Sequence, residues 1–67
     1  MIEARINGEP VRLAEGTDLR ALVTQRVEHV EGVAVACNEA VVPRSEWAET
    51  FVRDGDRIEI LVAAQGG

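Results

Sequence analysis

The sequence predicts an α+β domain in which one main helix packs on one face of a mixed sheet, in the order β-β-α-β-β-β. Three observations carry this. Two runs of alternating apolar and polar residues near the N-terminus flank the dipeptide Asn7-Gly8. A single apolar stripe at helical spacing follows, made by Leu19, Leu22, Val23 and Val27. Three further short apolar runs then come one after another, separated by turn residues. With 67 residues there is room for one domain, and a helix laid on one sheet face is the simplest way to close its core.

Each element has its own reason. Ile2, Ala4 and Ile6 alternate with Glu3 and Arg5, which marks a half-buried strand. Asn7-Gly8 favours the positive φ angles of a tight hairpin turn. Val11 and Leu13 return, and Pro10, which has no N–H, sends this second strand to a sheet edge. Glu15-Gly16 breaks the strand; Thr17 is the expected helix N-cap, with Asp18 favourable at the positive end of the dipole. The helix is expected to end between Arg26 and His29. Val33 to Cys37 is a continuous small apolar run and is expected to be a central strand buried on both faces. Asn38-Glu39 turns the chain into a short strand at Val41-Val42, which Pro43 ends; Ser45 to Ala48 forms one helical turn holding Trp47. Phe51-Val52 adds apolar contact, and Asp54-Gly55-Asp56 is a turn. In the last strand Ile58, Ile60 and Val62 are expected to face the helix, so Leu61 must face out.

Composition narrows the function. Hydrophobic residues are 46% and charged residues 28%, ordinary for a folded domain. One Trp, one Phe and no Tyr leave a core of Val, Ile, Leu and Ala, and no rings to line a pocket for a large cofactor. A net charge of −5 with scattered cations gives no footprint for nucleic acid or an anionic membrane; a basic protein surface is the expected partner. All cations are Arg, so no side chain of this protein can accept an isopeptide bond. The single cysteine, Cys37, fits a reducing compartment. No apolar run reaches the ~20 residues that span a bilayer, and the first residues lack a signal-peptide pattern; the expected location is cytoplasmic.

Enzyme constellations are missing from the sequence, so no catalytic residue and no metal site is assigned. His29 has no Cys or second His at metal-ligand spacing and is expected to be a solvated residue after the helix. Cys37, inside an apolar strand, is expected to be a structural thiol with nothing nearby to lower its pKa. Asp54 and Asp56 are explained by turn chemistry, and the glycines form no phosphate-binding loop.

The C-terminus remains. At an average glycine frequency of ~7%, two terminal glycines arise by chance in roughly 0.5% of chains, so Gly66-Gly67 asks for a reason. A carboxylate resists nucleophiles until it is activated, for example by transfer of an adenylyl group from ATP. Gly66 and Gly67 lack a Cβ, so a partner enzyme can approach the terminal carbon closely and draw the chain through a narrow channel. Fully extended, residues 63–67 span at most about 17 Å, at ~3.4 Å per residue. That is enough to carry the group off a domain formed by residues 1–62 and into another protein's active site.

Several stretches together give a resemblance. Ala36-Cys37-Asn38, Val42-Pro43-Arg44 with Trp47-Ala48, Asp54-Gly55-Asp56 with Ile58, and the closing Gly66-Gly67 resemble, in order and spacing, the ThiS family of sulfur carriers of thiamine biosynthesis. The resemblance covers essentially the whole chain; Cys37 departs from it, standing where Ile or Val is expected. It implies a ubiquitin-like β-grasp fold and a carrier that is not itself an enzyme. It also implies a cycle. A ThiF-type adenylating enzyme uses ATP to adenylate Gly67, sulfur from a donor such as a cysteine desulfurase converts it to a thiocarboxylate, and thiazole synthase takes the sulfur. The carrier itself binds no cofactor. Carried onto this sequence, Gly67 is the modified residue, and Gly66, Gln65, Ala64 and Ala63 make a flexible tail along the partner's channel. Leu61, pushed outward by the strand's alternation, is the apolar docking contact. Three alternatives share these features in part. One is a sibling carrier, such as the small subunit of molybdopterin synthase or a carrier for tRNA thiolation. Another is a ubiquitin-like protein modifier. The last is an interaction module whose tail is never activated.

Overall fold

The computed structural model describes residues 1–63. Five strands make one sheet: β1 (Ile2–Ile6), β2 (Glu9–Leu13), β3 (Val33–Cys37), β4 (Ala40–Val42) and β5 (Arg57–Val62). Helix α1 (Leu19–Arg26) lies between β2 and β3, and a 3₁₀ segment (Arg44–Glu49) follows β4. The strand order is β2-β1-β5-β3-β4, with β1 and β5 parallel and every other pair antiparallel. The predicted mixed sheet, element order and one-sided helix are therefore all present. So is the edge position that Pro10 imposes on β2.

The core lies on one face of this sheet. Burial alternates strictly along β1, with Ile2, Ala4 and Ile6 inside and Glu3 and Arg5 outside. Leu19, Leu22 and Val23 of α1 meet them together with Val35, Ile58 and Ile60. Trp47, 1% exposed, closes the core from the 3₁₀ segment, and its Nε1–H donates to the Val42 carbonyl at 2.9 Å. A buried indole needs such a partner.

Asn7 (φ 52°) and Gly8 (φ 87°) join the paired residues Ile6 and Glu9 as a two-residue turn with positive φ at both positions. The Asn7 side chain does more. Its Oδ1 accepts from Ile60 N at 2.8 Å and its Nδ2 donates to Ile60 O at 3.2 Å, while Asn7 N donates to Ile58 O at 2.8 Å. The amide thus acts as one more peptide rung where β1 has ended, and it bonds β5 at Ile60, near that strand's last residues.

Three expectations are corrected. Asp18, not Thr17, caps α1: its Oδ1 accepts from Ala21 N at 2.8 Å, whereas the Thr17 hydroxyl donates back to Ala14 O at 2.7 Å. A carboxylate makes the stronger, charge-assisted cap, and the hydroxyl is spent on the preceding turn. Second, β3 lies inside the sheet, between β5 and β4, but it is not buried on both faces. The middle strand is β5, and in β3 Ala34 is exposed while Val35 is buried. Only one face of the sheet carries a helix, and alanine is small enough to tolerate the open one. Third, Val62 shares the parity of Ile58 and Ile60 but is 58% exposed. It lies at the end of β5, past the helix cover that hides the other two.

The Asp54-Gly55-Asp56 turn is wired to its surroundings. Asp54 Oδ1 accepts from Glu3 N at 2.8 Å, and Asp56 accepts from Arg53 N at 2.8 Å and from Asn38 Nδ2 at 3.0 Å. Opposite it, Asn38 and Glu39 form a second positive-φ turn, at 51° and 74°. Asn adopts that region readily, whereas Glu adopts it only with strain. Glu39→Gly is therefore expected to stabilise the domain by about 0.5–1 kcal/mol, a gain that the greater freedom of an unfolded glycine partly offsets. Its charge contact with Arg57, at 3.7 Å, is exposed on both sides and contributes little. A melting midpoint that falls on substitution would show that no strain resides there.

Candidate functional site

The site is built where β5 leaves the sheet. Leu61 is 65% exposed on the face away from α1, as the alternation requires. Val62 is exposed beside it, and Ala63 follows at the surface. Ala63 is still tied to the domain, because its N–H donates to the Gly32 carbonyl at 2.9 Å. Gly32 itself sits at φ +79°, with space for a Cβ directly against that of Ala63, 3.5 Å away. Ala64, Gln65, Gly66 and Gly67 lie outside the described residues.

The register brings neighbours to Leu61 that sequence reasoning missed. Across the open face Leu61 pairs with Ala34, and Glu59 pairs with Ala36, which in turn pairs with Val41. Val41 is 77% exposed. The outcome is a small apolar patch of Ala34, Ala36, Val41 and Leu61 with one carboxylate, Glu59, set in it. No local pattern announces this row; it exists because β3 and β4 lie beside β5, a pairing between residues far apart in sequence.

The remaining sequence candidates stay apart from it. His29 is exposed after α1, as expected. Cys37 is half-buried. Burial, then the Asp56 charge and a hydrogen bond to its carboxylate, push the thiol's pKa above its usual 9.0, so at neutral pH it remains a thiol rather than a nucleophilic thiolate. Asp54 and Asp56 are occupied by backbone amides, as their turn role requires. Two open depressions mark the surface, of about 350 Å³ beside Arg5, Asp54 and Arg57 and about 400 Å³ beside Cys37, Phe51 and Asp56. Neither is enclosed, as a site that sequesters a small ligand would be. Among the described residues no group of His, Cys, Asp or Glu is placed to hold a metal, and no helix is long and apolar enough to cross a membrane.

Comparison with known proteins now bears on the site. The model of the ThiS family matches residues 4–67. The sulfur carrier protein ThiS of Escherichia coli K12 is 34% identical over 61 residues, 91% of this chain and 92% of that protein. A longer protein of Paramagnetospirillum magneticum named thiazole synthase is 36% identical over 62 residues, 92% of this chain but 19% of its own length. The crystal structure of a thiamine biosynthesis protein (ThiS) from Geobacter metallireducens superposes with a TM-score of 0.83 at 32% identity, covering 98% of this chain and all of that one. These agree with the architecture described above, a β-grasp of five strands and one helix.

Proposed function

The chain belongs to the ThiS family of sulfur carriers, and from that premise we propose that it carries sulfur for the thiazole moiety of thiamine as a thiocarboxylate on Gly67. The observation that carries this is the family match running to the last glycine, on a domain whose final strand delivers the chain to the surface at Ala63. A ThiF-type adenylating enzyme uses ATP to convert the Gly67 carboxylate into an acyl adenylate, releasing pyrophosphate. The outer sulfur of a persulfide, drawn from cysteine by a desulfurase, then displaces AMP to give an acyl disulfide. A second thiol reduces that S–S bond, releasing the thiocarboxylate and becoming a disulfide with the donor thiol. Thiazole synthase accepts the sulfur, and the carboxylate returns. The long thiazole synthase that contains a stretch similar to this chain supports that last pairing.

In this cycle the domain, residues 1–62, is a handle, and Ala63, Ala64, Gln65 and Gly66 line the partner's channel with Gly67 at its end. ATP is bound by the partner and not by the carrier. The setting is cytoplasmic, where the adenylating enzyme and its ATP reside.

The test is intact mass after incubation with the adenylating enzyme, ATP and a sulfur source. One oxygen replaced by sulfur at the C-terminus is the expected result; an isopeptide-linked product instead would make the protein a modifier. Rescue of a thiamine-requiring strain separates this branch from sibling carriers.

Leu61 is the docking contact in this proposal. Leu61→Asp is expected to raise the KM for the carrier at least tenfold, about 1.4 kcal/mol or more of lost binding, with no change in melting because the side chain is exposed in the free protein. Unchanged KM would remove Leu61 from the interface.

A further inference from the structure

The pairing of β3 with β5 is registered as far as Val33 and Val62. One step further, the Ala63 N–H donates to the Gly32 carbonyl at 2.9 Å. Gly32 belongs to a turn that the Val33 N–H closes on the Val30 carbonyl at 3.2 Å. As the third of the four residues it has φ +79°, which favours glycine and which a β-branched residue adopts only with strain. Val30, the first residue of the turn, packs against the core together with Val27. The core therefore holds the Gly32 carbonyl in place, and that carbonyl holds Ala63.

Ala63 is exposed, so this rung adds nothing to apolar burial, and its consequence is geometric. It fixes the point at which the domain stops and the tail starts. Residues 64–67 then separate the root from the working carboxylate, at most about 14 Å of extended chain at ~3.4 Å per residue. With the root one residue earlier, the carboxylate would reach ~3.4 Å further, but one more residue would have to be ordered on entering a channel. Ordering one residue's backbone weakens binding by a factor on the order of ten, and a root fixed beforehand avoids that loss. The same root leaves no spare length, and a reacting atom misplaced by 1 Å can lose roughly a hundredfold in rate. A tied root thus exchanges reach for affinity.

We propose that Gly32 is a positioning residue: its carbonyl keeps Ala63 as the fixed root of the tail, both in the free carrier and while the activating enzyme holds the tail, and so sets the length of chain that presents Gly67. This rests on the carrier function proposed above.

The experiment has two parts. Amide hydrogen exchange of the wild-type chain, followed by NMR, reads the rung directly. The Ala63 N–H is expected to exchange at least about tenfold more slowly than in an unstructured peptide. ATP–pyrophosphate exchange by the cognate adenylating enzyme is then measured against carrier concentration for the wild type, Gly32→Val and the milder Gly32→Ala. Each is assayed in the full chain and in a chain lacking Ala64, which is one residue shorter but keeps Gln65, Gly66 and Gly67. Gly16→Val strains another glycine of positive φ, +89°, after β2 at the far end of the domain, and controls for lost stability. Circular dichroism checks that each is folded at the assay temperature.

In the full chain the Gly32 variants are expected to raise KM about tenfold at unchanged kcat. Loss of Ala64 alone is expected to lower kcat at least about a hundredfold, and the Gly32 variants to recover at least about tenfold of it by freeing the root. Gly16→Val should alter the kinetics of neither chain. A merely structural defect adds to the damage of the shortened chain, so recovery there is the diagnostic sign. Gly32 variants that harm both chains, or change neither, overturn the proposal. So does an Ala63 amide that exchanges freely in the wild type, even where the variants do not fold. No pyrophosphate exchange with the wild-type chain refutes the carrier function, and this role with it, whatever the amide shows.

Discussion

Removal of Gly67 is expected to abolish conversion to the thiocarboxylate, a loss of at least ~10³-fold, while the domain melts as before. Deletion leaves a glycine carboxylate at the end of the chain, so the chemistry of the group is unchanged. What changes is reach, by about 3.4 Å. A reacting atom displaced by 1 Å can lose roughly a hundredfold in rate, and the tail has no slack at its root, because Ala63 is hydrogen-bonded to Gly32. The measurement is intact mass with the adenylating enzyme, ATP and a sulfur source, beside a thermal melt. A companion variant with one alanine appended after Gly67 turns that carboxylate into an amide, and the same loss is expected for a different reason. Stability should move by less than about 0.5 kcal/mol in both, as for most changes at a chain terminus. Thiocarboxylate formation that survives either change would show that Gly67 is not the working group.

Trp47→Ala has the largest expected effect on the fold. Trp47 is the largest of the fully buried side chains and supplies the N–H that satisfies the Val42 carbonyl. Truncating a buried aromatic residue to alanine costs about 3–5 kcal/mol. A domain of 67 residues holds on the order of 3–10 kcal/mol in all, at roughly 0.05–0.15 kcal/mol per residue. The variant is thus expected to keep little of its stability and to be partly unfolded at 37 °C. Trp47→Phe retains the ring's burial but leaves the Val42 carbonyl without its donor, so a smaller loss of about 1–3 kcal/mol is expected. Urea unfolding followed by circular dichroism measures both, since the variants lack the chain's only tryptophan as a fluorophore. A loss below about 1 kcal/mol for the alanine variant would mean that the 3₁₀ segment is not part of the cooperative core.

The two variants divide the molecule's labour. One leaves a folded handle whose carboxylate falls short, and the other undermines the handle. Under the proposed cycle each partner grips the handle, so the tryptophan variant should fail to bind any of them, whereas the glycine deletion should still bind and fail at activation.

Much of this was legible in the sequence. Local chemistry determined the first hairpin, because Asn7-Gly8 accepts positive φ, and the edge position of β2, because Pro10 cannot donate. Period determined which side of β1 and which stripe of α1 are buried. The outward direction of Leu61 followed from the same alternation. Each of these depends on residues within a few positions of one another.

Tertiary structure alone decided the rest. That β5 lies in the middle, with Val35 covered and Ala34 bare, depends on which strands pair, and an apolar run reads the same for one-sided and two-sided burial. The choice of Asp18 over Thr17 as cap was settled by where the Thr17 hydroxyl finds its acceptor. Glu59 gained its apolar surroundings on β3 and β4, and Ala63 its anchor on Gly32, from segments distant in sequence. A linear pattern records the side to which a side chain points; only the paired sheet determines what stands next to it.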